Sequence, residues 1–145
     1  MVPARYFDES ASRCFLSEVS NLDDAAVVEH VEIPQLGVVL VYERTQAGVP
    51  ELANLLLDLD RSGEYNKILA DFREGVLSLV VAQDKNLLLA NVFPAQSFTT
   101  AEYFIFAALK SLQLNPEVST ICFRGDLSEE DEMSLYTYFK SVERI

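Results

Sequence analysis

The sequence predicts an α/β protein built on a mixed β-sheet, and this prediction rests on three features of residues 66–126. An alternating segment at residues 68–72 precedes two nearly continuous apolar segments, residues 76–82 and 87–93, and such short runs rich in branched residues are typical of strands. Short polar turns join the three segments, which favours antiparallel neighbours. A helical segment then leads to a fourth strand at residues 118–123, which runs parallel to one of the first three if the helix is a crossover.

The helix between the third and fourth strands has clear start and stop signals. Thr99 is the expected cap, and Glu102 stands at the position from which a capping-box acid bonds back to the cap. The helix continues over residues 101–112, and Asn115-Pro116 ends it. Because its apolar residues spread over more than one face, we expect this helix to be largely buried.

Two further helices and two strands are predicted before residue 64. The first helix begins at Asp8. Its apolar residues follow the three-four spacing of one helix face: Ala11, Cys14, Phe15 and Val19. Strands are predicted at residues 26–33 and 36–42, and Pro50 opens a short helix that closes before Gly63.

The chain closes with a helix capped by Ser128, whose first turn carries four acids that favour the positive end of the helix dipole. Its predicted packing face consists of Leu135, Tyr136, Phe139 and Val142. The helix ends near the C-terminus, so residues 64–145 are predicted to be a subdomain cut short before a fifth strand. Residues 1–63 are predicted to be the remnant of a first lobe with no sheet of its own. We therefore expect an internal portion of a longer, two-lobed protein.

Composition narrows the possible partners. The 145 residues carry a formal net charge of −12, and the lysines are scattered, so we expect neither a nucleic-acid nor a membrane partner. No apolar run is long enough for a membrane span, and no signal-peptide pattern opens the chain, so a cytoplasmic location is expected. Cys14 and Cys122 both stand in apolar patterns and are expected to be small buried hydrophobes. No cofactor and no metal are expected.

The order strand, strand, strand, helix, strand, helix opens the unit shared by ribonuclease H-like nucleases and actin-like ATPases. The chain resembles a bacterial family known only as a domain of unknown function, family 3822, which is similar in fold to the actin-like ATPases. The resemblance rests on Val2-Pro3 before an acidic helix, Asn91-x-Phe93, Glu102-Tyr103, and residues 123–126 with the sequence Phe-Arg-Gly-Asp. It implies an actin-like fold and no assigned activity.

An actin-like ATPase wraps phosphates with the backbone amides of a glycine-rich turn after its first strand. The corresponding turn here is residues 71–75, with Asp71, a single glycine at Gly75, and Glu74 where phosphate charge would lie. A carboxylate at that point repels a nucleotide. The turn is therefore predicted to be degenerate, although ATP binding stays open as an alternative.

A metal-dependent nuclease of the ribonuclease H-like type is the second alternative. Such enzymes hold two divalent cations with clustered carboxylates from the first strand, the first helix and the segment after the fourth strand. Asp71, Glu102 and Asp126 fall on those three elements. Against this alternative, Glu102 already has a capping role and the overall charge repels nucleic acid.

We therefore predict a non-catalytic α/β scaffold that binds a protein partner or a second copy of itself. The helix from Tyr103 to Phe106 presents more apolar surface than one sheet face can cover, so Tyr103, Phe104 and Phe106 are the interface candidates. Two other signals are expected to be structural: the Arg124-Gly125-Asp126 tripeptide, and His30 on a predicted strand.

Overall fold

The computed structural model describes residues 1–17, 27–43 and 50–145. The predicted core residue Val19 lies outside the described residues. The first part of the chain forms a three-stranded antiparallel sheet in the order β1-β3-β2 together with two helices. Its elements are β1 (Val2–Pro3), α1 (Ser12–Ser17), β2 (Val28–Ile33), β3 (Val38–Glu43) and α2 (Glu51–Leu57).

The second part forms a five-stranded mixed sheet in the order β6-β5-β4-β7-β8. Strands β4 to β6 are an antiparallel meander, β7 runs parallel to β4, and β8 runs parallel to β7. The elements are β4 (Asn66–Arg73), β5 (Val76–Gln83), β6 (Asn86–Pro94), α3 (Phe98–Ser111), β7 (Thr120–Arg124), α4 (Glu129–Tyr138) and β8 (Ser141–Arg144). The predicted mixed sheet, with its meander and its parallel fourth strand, is confirmed.

The turn between β4 and β5 is a tight two-residue hairpin. Glu74 and Gly75 both have positive φ, at 51° and 74°. This is the backbone combination that matches the twist of antiparallel strands, and glycine adopts it without strain. Glutamate adopts it at some cost, so the position of the Glu74 side chain is set by the hairpin backbone.

The five-stranded sheet is covered on both faces, as the continuous apolar strands predict. Helices α3 and α4 pack on one face, against Ile68, Ala70 and Leu79 among others. Helix α2 and the small sheet pack on the opposite face, against Leu69, Val80 and other residues. Alternate residues of a strand point to opposite faces, so even-numbered residues of β4 face α3 and odd-numbered ones face α2. This alternation decides which candidate residues can meet.

Two predictions about the organisation of the chain are wrong. A fifth strand is present, because the chain leaves α4 after Tyr138 and residues 141–144 pair in parallel with β7. Val142, expected on the last helix, is instead buried from that strand. Residues 1–63 also have a sheet of their own, which the pairing of Val2-Pro3 with β3 completes. The division of the chain at residue 63 into two lobes stays a prediction.

Two local predictions are also corrected. The cap of α3 is Ser97 rather than Thr99, since the Ser97 hydroxyl accepts a hydrogen bond from the Thr100 amide at 3.3 Å. Glu102 therefore lies beyond the first turn and has no capping role. Cys122 is fully buried as expected, but the Cys14 side chain is exposed on α1. No helix in the described ranges is long and apolar enough to cross a membrane.

Candidate functional site

The predicted phosphate turn lies where β4 ends beside the N-terminal end of α2. Asp71 and Arg73 are odd-numbered residues of β4, so both side chains are on the α2 face of the sheet. In the parallel pairing of β4 with β7, Asp71 is the partner of Arg124. Gly125, at the end of β7, follows directly, so the two strand ends form one small site.

An ion pair fills this site. Asp71 is 1 % exposed, and its carboxylate accepts from the Arg73 Nε at 3.0 Å and from the Arg73 Nη2 at 3.0 Å. Such two-point contacts between a guanidinium and a carboxylate are among the strong hydrogen bonds of proteins. The orientation of Arg73 is therefore fixed by Asp71.

Gly125 borders this ion pair closely. It has a φ of +87°, and a Cβ at this position would lie 2.8 Å from the Arg73 Nη2 and 3.0 Å from the Asp71 Oδ1. Both the backbone angle and the space therefore require glycine here. The room beside the Gly125 backbone is already taken by the Arg73 guanidinium.

The ion pair continues into α2 and β7. Glu51 in the first turn of α2 lies 3.5 Å from the Arg73 Nη1 and 3.3 Å from the Arg124 Nε. Arg124 in turn donates to the Asp58 Oδ2 at 2.6 Å. Carboxylates and guanidinium groups thus alternate from β4 through α2 to β7, which ties α2 to the end of the five-stranded sheet. Arg124, the first residue of the Arg-Gly-Asp tripeptide, is part of this network.

The protonation of Asp71 reflects its burial. Burial raises the pKa of the Asp71 carboxyl above its ordinary value, and the hydrogen bond and charge of Arg73 work against this rise. The same hydrogen bond raises the pKa of Arg73 further. Arg73 therefore stays charged, and it is the cation that Asp71 faces.

The three carboxylates of the nuclease alternative do not converge. Asp71 lies on the α2 face of the sheet, whereas Glu102 is on α3, which packs on the opposite face. The exposed Asp126 is near the Asp71 side, since its charge contributes to raising the pKa of Arg73. The positive charge near Asp71 and Asp126 thus comes from Arg73. No cluster of three metal-binding side chains is found among the described residues.

Glu102 has a different environment from the one the sequence indicated. It is 9 % exposed on α3, and its Oε1 has no hydrogen-bond partner among the described residues. Burial raises the pKa of its carboxyl, a hydrogen bond from Ser134 lowers it, and the charge of Asp131 raises it. Ser134 and Asp131 belong to α4, so Glu102 is a buried acid at the contact between α3 and α4.

The three interface candidates differ in exposure. The Tyr103 side chain is 68 % exposed. Phe104 is partly buried and stacks on Phe93 of β6, with ring centroids 4.9 Å apart. Phe106 is partly buried against Tyr138 at 4.8 Å and against Phe139. Much of the apolar surface that suggested an interface is therefore covered within the chain, and Tyr103 is the candidate that projects into solvent.

His30 lies on β2 and its ring contacts Phe7 at 4.8 Å. This contact accounts for the position of the ring. The sequence did not indicate the pairing of Glu51 with Arg124, because that pairing between α2 and β7 depends on the tertiary fold. One signal in the sequence could have separated Asp71 from Glu102. Asp71 has an odd number on β4, as Leu69 does, so it faces α2 and not the face on which α3 packs.

A cleft opens beside the ion pair. Its volume is about 410 Å³, and it is lined by side chains from α2, β4, β5, β6 and the hairpin turn: Pro50, Glu51, Leu52, Asp71, Arg73, Glu74, Val76, Ser78 and Val92. Glu74, in the turn between β4 and β5, is one of these lining residues. Three carboxylates and one guanidinium border it, so a negatively charged phosphate meets a net negative wall.

Comparison with solved structures supports the fold. A protein of Bacteroides thetaiotaomicron VPI-5482, described as having an actin-like ATPase fold and unknown function, superimposes with a TM-score of 0.75 at 18 % sequence identity. The alignment covers 99 % of this chain and 63 % of that one. This chain therefore has an actin-like ATPase fold and spans less than two thirds of the length of the protein it matches.

Comparison with curated protein sequences gave no match. The sequence model of the family described as "Protein of unknown function (DUF3822)" matches residues 1–142. The match covers nearly the whole chain and agrees with the resemblance carried by its motifs. The chain therefore belongs to this family of unknown function, DUF3822.

Proposed function

We propose that this protein is a non-catalytic binding protein of actin-like fold that binds a protein partner or a second copy of itself. The observation that carries the proposal is the Asp71–Arg73 ion pair, which lies in the turn corresponding to the phosphate-binding turn of an actin-like ATPase and packs against Gly125. The Arg73 guanidinium occupies the space beside Gly125. The fold then serves as a scaffold for protein binding and does not hydrolyse a nucleotide.

The exposed ring of Tyr103 supports the binding part of the proposal. Tyrosine is enriched in interfaces because its ring supplies a large apolar area and its hydroxyl supplies a hydrogen bond. Tyr103 is 68 % exposed and contacts Phe104 edge-on at 5.7 Å, which fixes one side of its ring. A cytoplasmic site of action is part of the same proposal, in keeping with two cysteines that are not joined to each other.

Nucleotide should leave the stability of the protein unchanged. A ligand at a hundredfold excess over its Kd stabilises a native state by about 2.7 kcal/mol, which corresponds to several degrees of melting temperature. With ATP and magnesium we expect the same melting curve as with magnesium alone, the control for ions attracted to an acidic chain. A saturable rise that requires ATP would contradict the proposal, and a rise specific to manganese would favour the nuclease alternative.

Glu102→Gln should stabilise the protein near neutral pH. The pKa of Glu102 is raised in the folded state, so its favourable contribution is complete below the pKa of the unfolded chain and is lost as pH rises through the folded value. Glutamine resembles the protonated acid and keeps that contribution at every pH. Urea unfolding should show a more stable variant at pH 7 and equal stabilities near pH 4.

The control for this experiment is Glu117→Gln, which removes an exposed carboxylate. It should change stability little at either pH. If Glu102→Gln instead destabilises the protein at pH 7 and removes a manganese-dependent stabilisation, Glu102 is a metal ligand and the nuclease alternative gains support.

Tyr103→Asp should weaken self-association. A carboxylate in place of the exposed ring removes apolar contact area and introduces a charge that must be desolvated. Where the partner is a second copy, we expect the dissociation constant of self-association, measured by sedimentation equilibrium, to rise by about tenfold or more, which is about 1.4 kcal/mol. Tyr65→Asp is the matched control, because Tyr65 is 65 % exposed and lies in the loop before β4. Equal effects of the two substitutions would remove Tyr103 from the interface.

A further inference from the structure

We propose that the cleft between the N-terminal end of α2 and the β4–β5 turn binds a lysine or arginine side chain from a segment of a partner protein. This inference rests on the proposed binding function and names the chemistry of the partner. It concerns a site distinct from the exposed ring of Tyr103, and it is carried by the shape, the charge and the polar and apolar lining of the cleft.

The floor of the cleft is built from two cross-strand rows of the meander. Asp71, Ser78 and Val92 are register partners across β4, β5 and β6. The next row places Arg73 beside Val76. The floor therefore has an ion pair at its β4 end and an apolar end on β5 and β6.

The apolar end of the floor is open to solvent. Val76 is 42 % exposed and Val92 is 49 % exposed, and both line the cleft. Leu52 and Pro50 of the α2 segment form the facing wall. This arrangement suits the aliphatic stem of a long basic side chain, which buries its methylene groups while its charged end reaches polar partners.

A hydroxyl borders the same space. Ser78 is 4 % exposed and lines the cleft. A hydroxyl oxygen accepts a hydrogen bond, so a ligand donor that enters the cleft can bind it. An ammonium or guanidinium group supplies such a donor.

The charge of the cleft favours a cation. Arg73 is paired with Asp71 and Glu51, and Glu51 is also paired with Arg124, whereas Glu74 forms no ion pair with any described residue. Glu74 is therefore the acidic side chain of the lining that is left for an incoming cation. The formal charge of −12 on the whole chain adds long-range attraction for a basic segment and repulsion for a phosphorylated one.

The volume suits a side chain with its flanking residues. At about 410 Å³ the cleft is within the range of small-ligand sites and exceeds what one charged group fills. An apolar residue next to the basic one would reach Val76 or Val92. A protein segment supplies both groups at once, which is why the partner is assigned as protein.

The test is an NMR titration of the full chain with a synthetic pentapeptide, glycine-leucine-arginine-valine-glycine, blocked at both ends. The matched peptide carries citrulline, which has the shape of arginine without its charge. We expect the arginine peptide to shift the amide signals of Val76, Ser78 and Val92, and the citrulline peptide to bind about tenfold more weakly. Glu74→Gln should weaken the binding of the arginine peptide by a similar factor.

Glu117→Gln is the control for non-specific attraction, because it removes one exposed carboxylate outside the cleft. It should leave the affinity nearly unchanged. Equal weakening by Glu74→Gln and Glu117→Gln, equal binding of the two peptides, or shifts spread over the acidic surface would each overturn the inference. So would the absence of any saturable shift at millimolar peptide.

This outcome is separable from that of the proposed function. If ATP with magnesium stabilises the protein, the proposed function fails whatever the peptides do. If nucleotide has no effect and the arginine peptide does not bind, the scaffold proposal stands and only the assignment of this cleft fails.

Discussion

The bidentate ion pair between Asp71 and Arg73 is the contact on which the site depends. It places a buried carboxylate against a guanidinium at the end of β4, and Glu51 and Arg124 extend it into α2 and β7. Removing one partner of a buried charge pair leaves the other charge uncompensated, which destabilises the protein. The charged groups of this network therefore depend on one another. Arg73 is 49 % exposed, which limits the stabilising contribution of its outer contacts through solvent screening. The network therefore matters most for geometry: it fixes the guanidinium beside Gly125 and anchors α2 across the sheet end.

The two-sided sheet sets what this scaffold can assemble. Helices α3 and α4 cover one face, and α2 with the small sheet covers the other. Residues of one strand are divided between these faces. An acid on β4 and an acid on α3 can therefore match the order of a catalytic motif in the sequence and still be separated by the sheet. The face that carries Asp71 presents a cleft with a cationic group already bound to its own carboxylates. The face that carries Glu102 keeps that acid within a contact between helices. Among the described residues, neither face brings together the ligands of a two-metal site.

Much of the fold could be predicted from local signals. The apolar runs of β5 and β6, the short turns between them and the proline after α3 gave the meander and the crossover, because each is a property of a few neighbouring residues. The fifth strand could not be found this way, since Phe139 and Val142 fit a helical spacing equally well, and pairing with β7 decides their structure. The cap of α3 was misplaced because Ser97 and Thr99 are both good caps. The sequence indicated Glu74 in the turn after β4, whereas the contact of Arg73 with Gly125 depends on tertiary packing and could not be predicted from local signals.

The central claim is that Arg73, held by Asp71, fills the space beside Gly125. The most direct test is a double-mutant cycle with Gly125→Ala and Arg73→Ala, with the free energy of unfolding measured in urea. Gly125→Ala alone should destabilise the protein by about 1–3 kcal/mol, from its positive φ and from contact with the guanidinium. In the Arg73→Ala variant, Gly125→Ala loses stability only through its positive φ. Its destabilising effect should therefore be about 1 kcal/mol smaller than in the parent protein. Additive costs, within about 0.5 kcal/mol, would show that Arg73 does not occupy that space and would contradict the account.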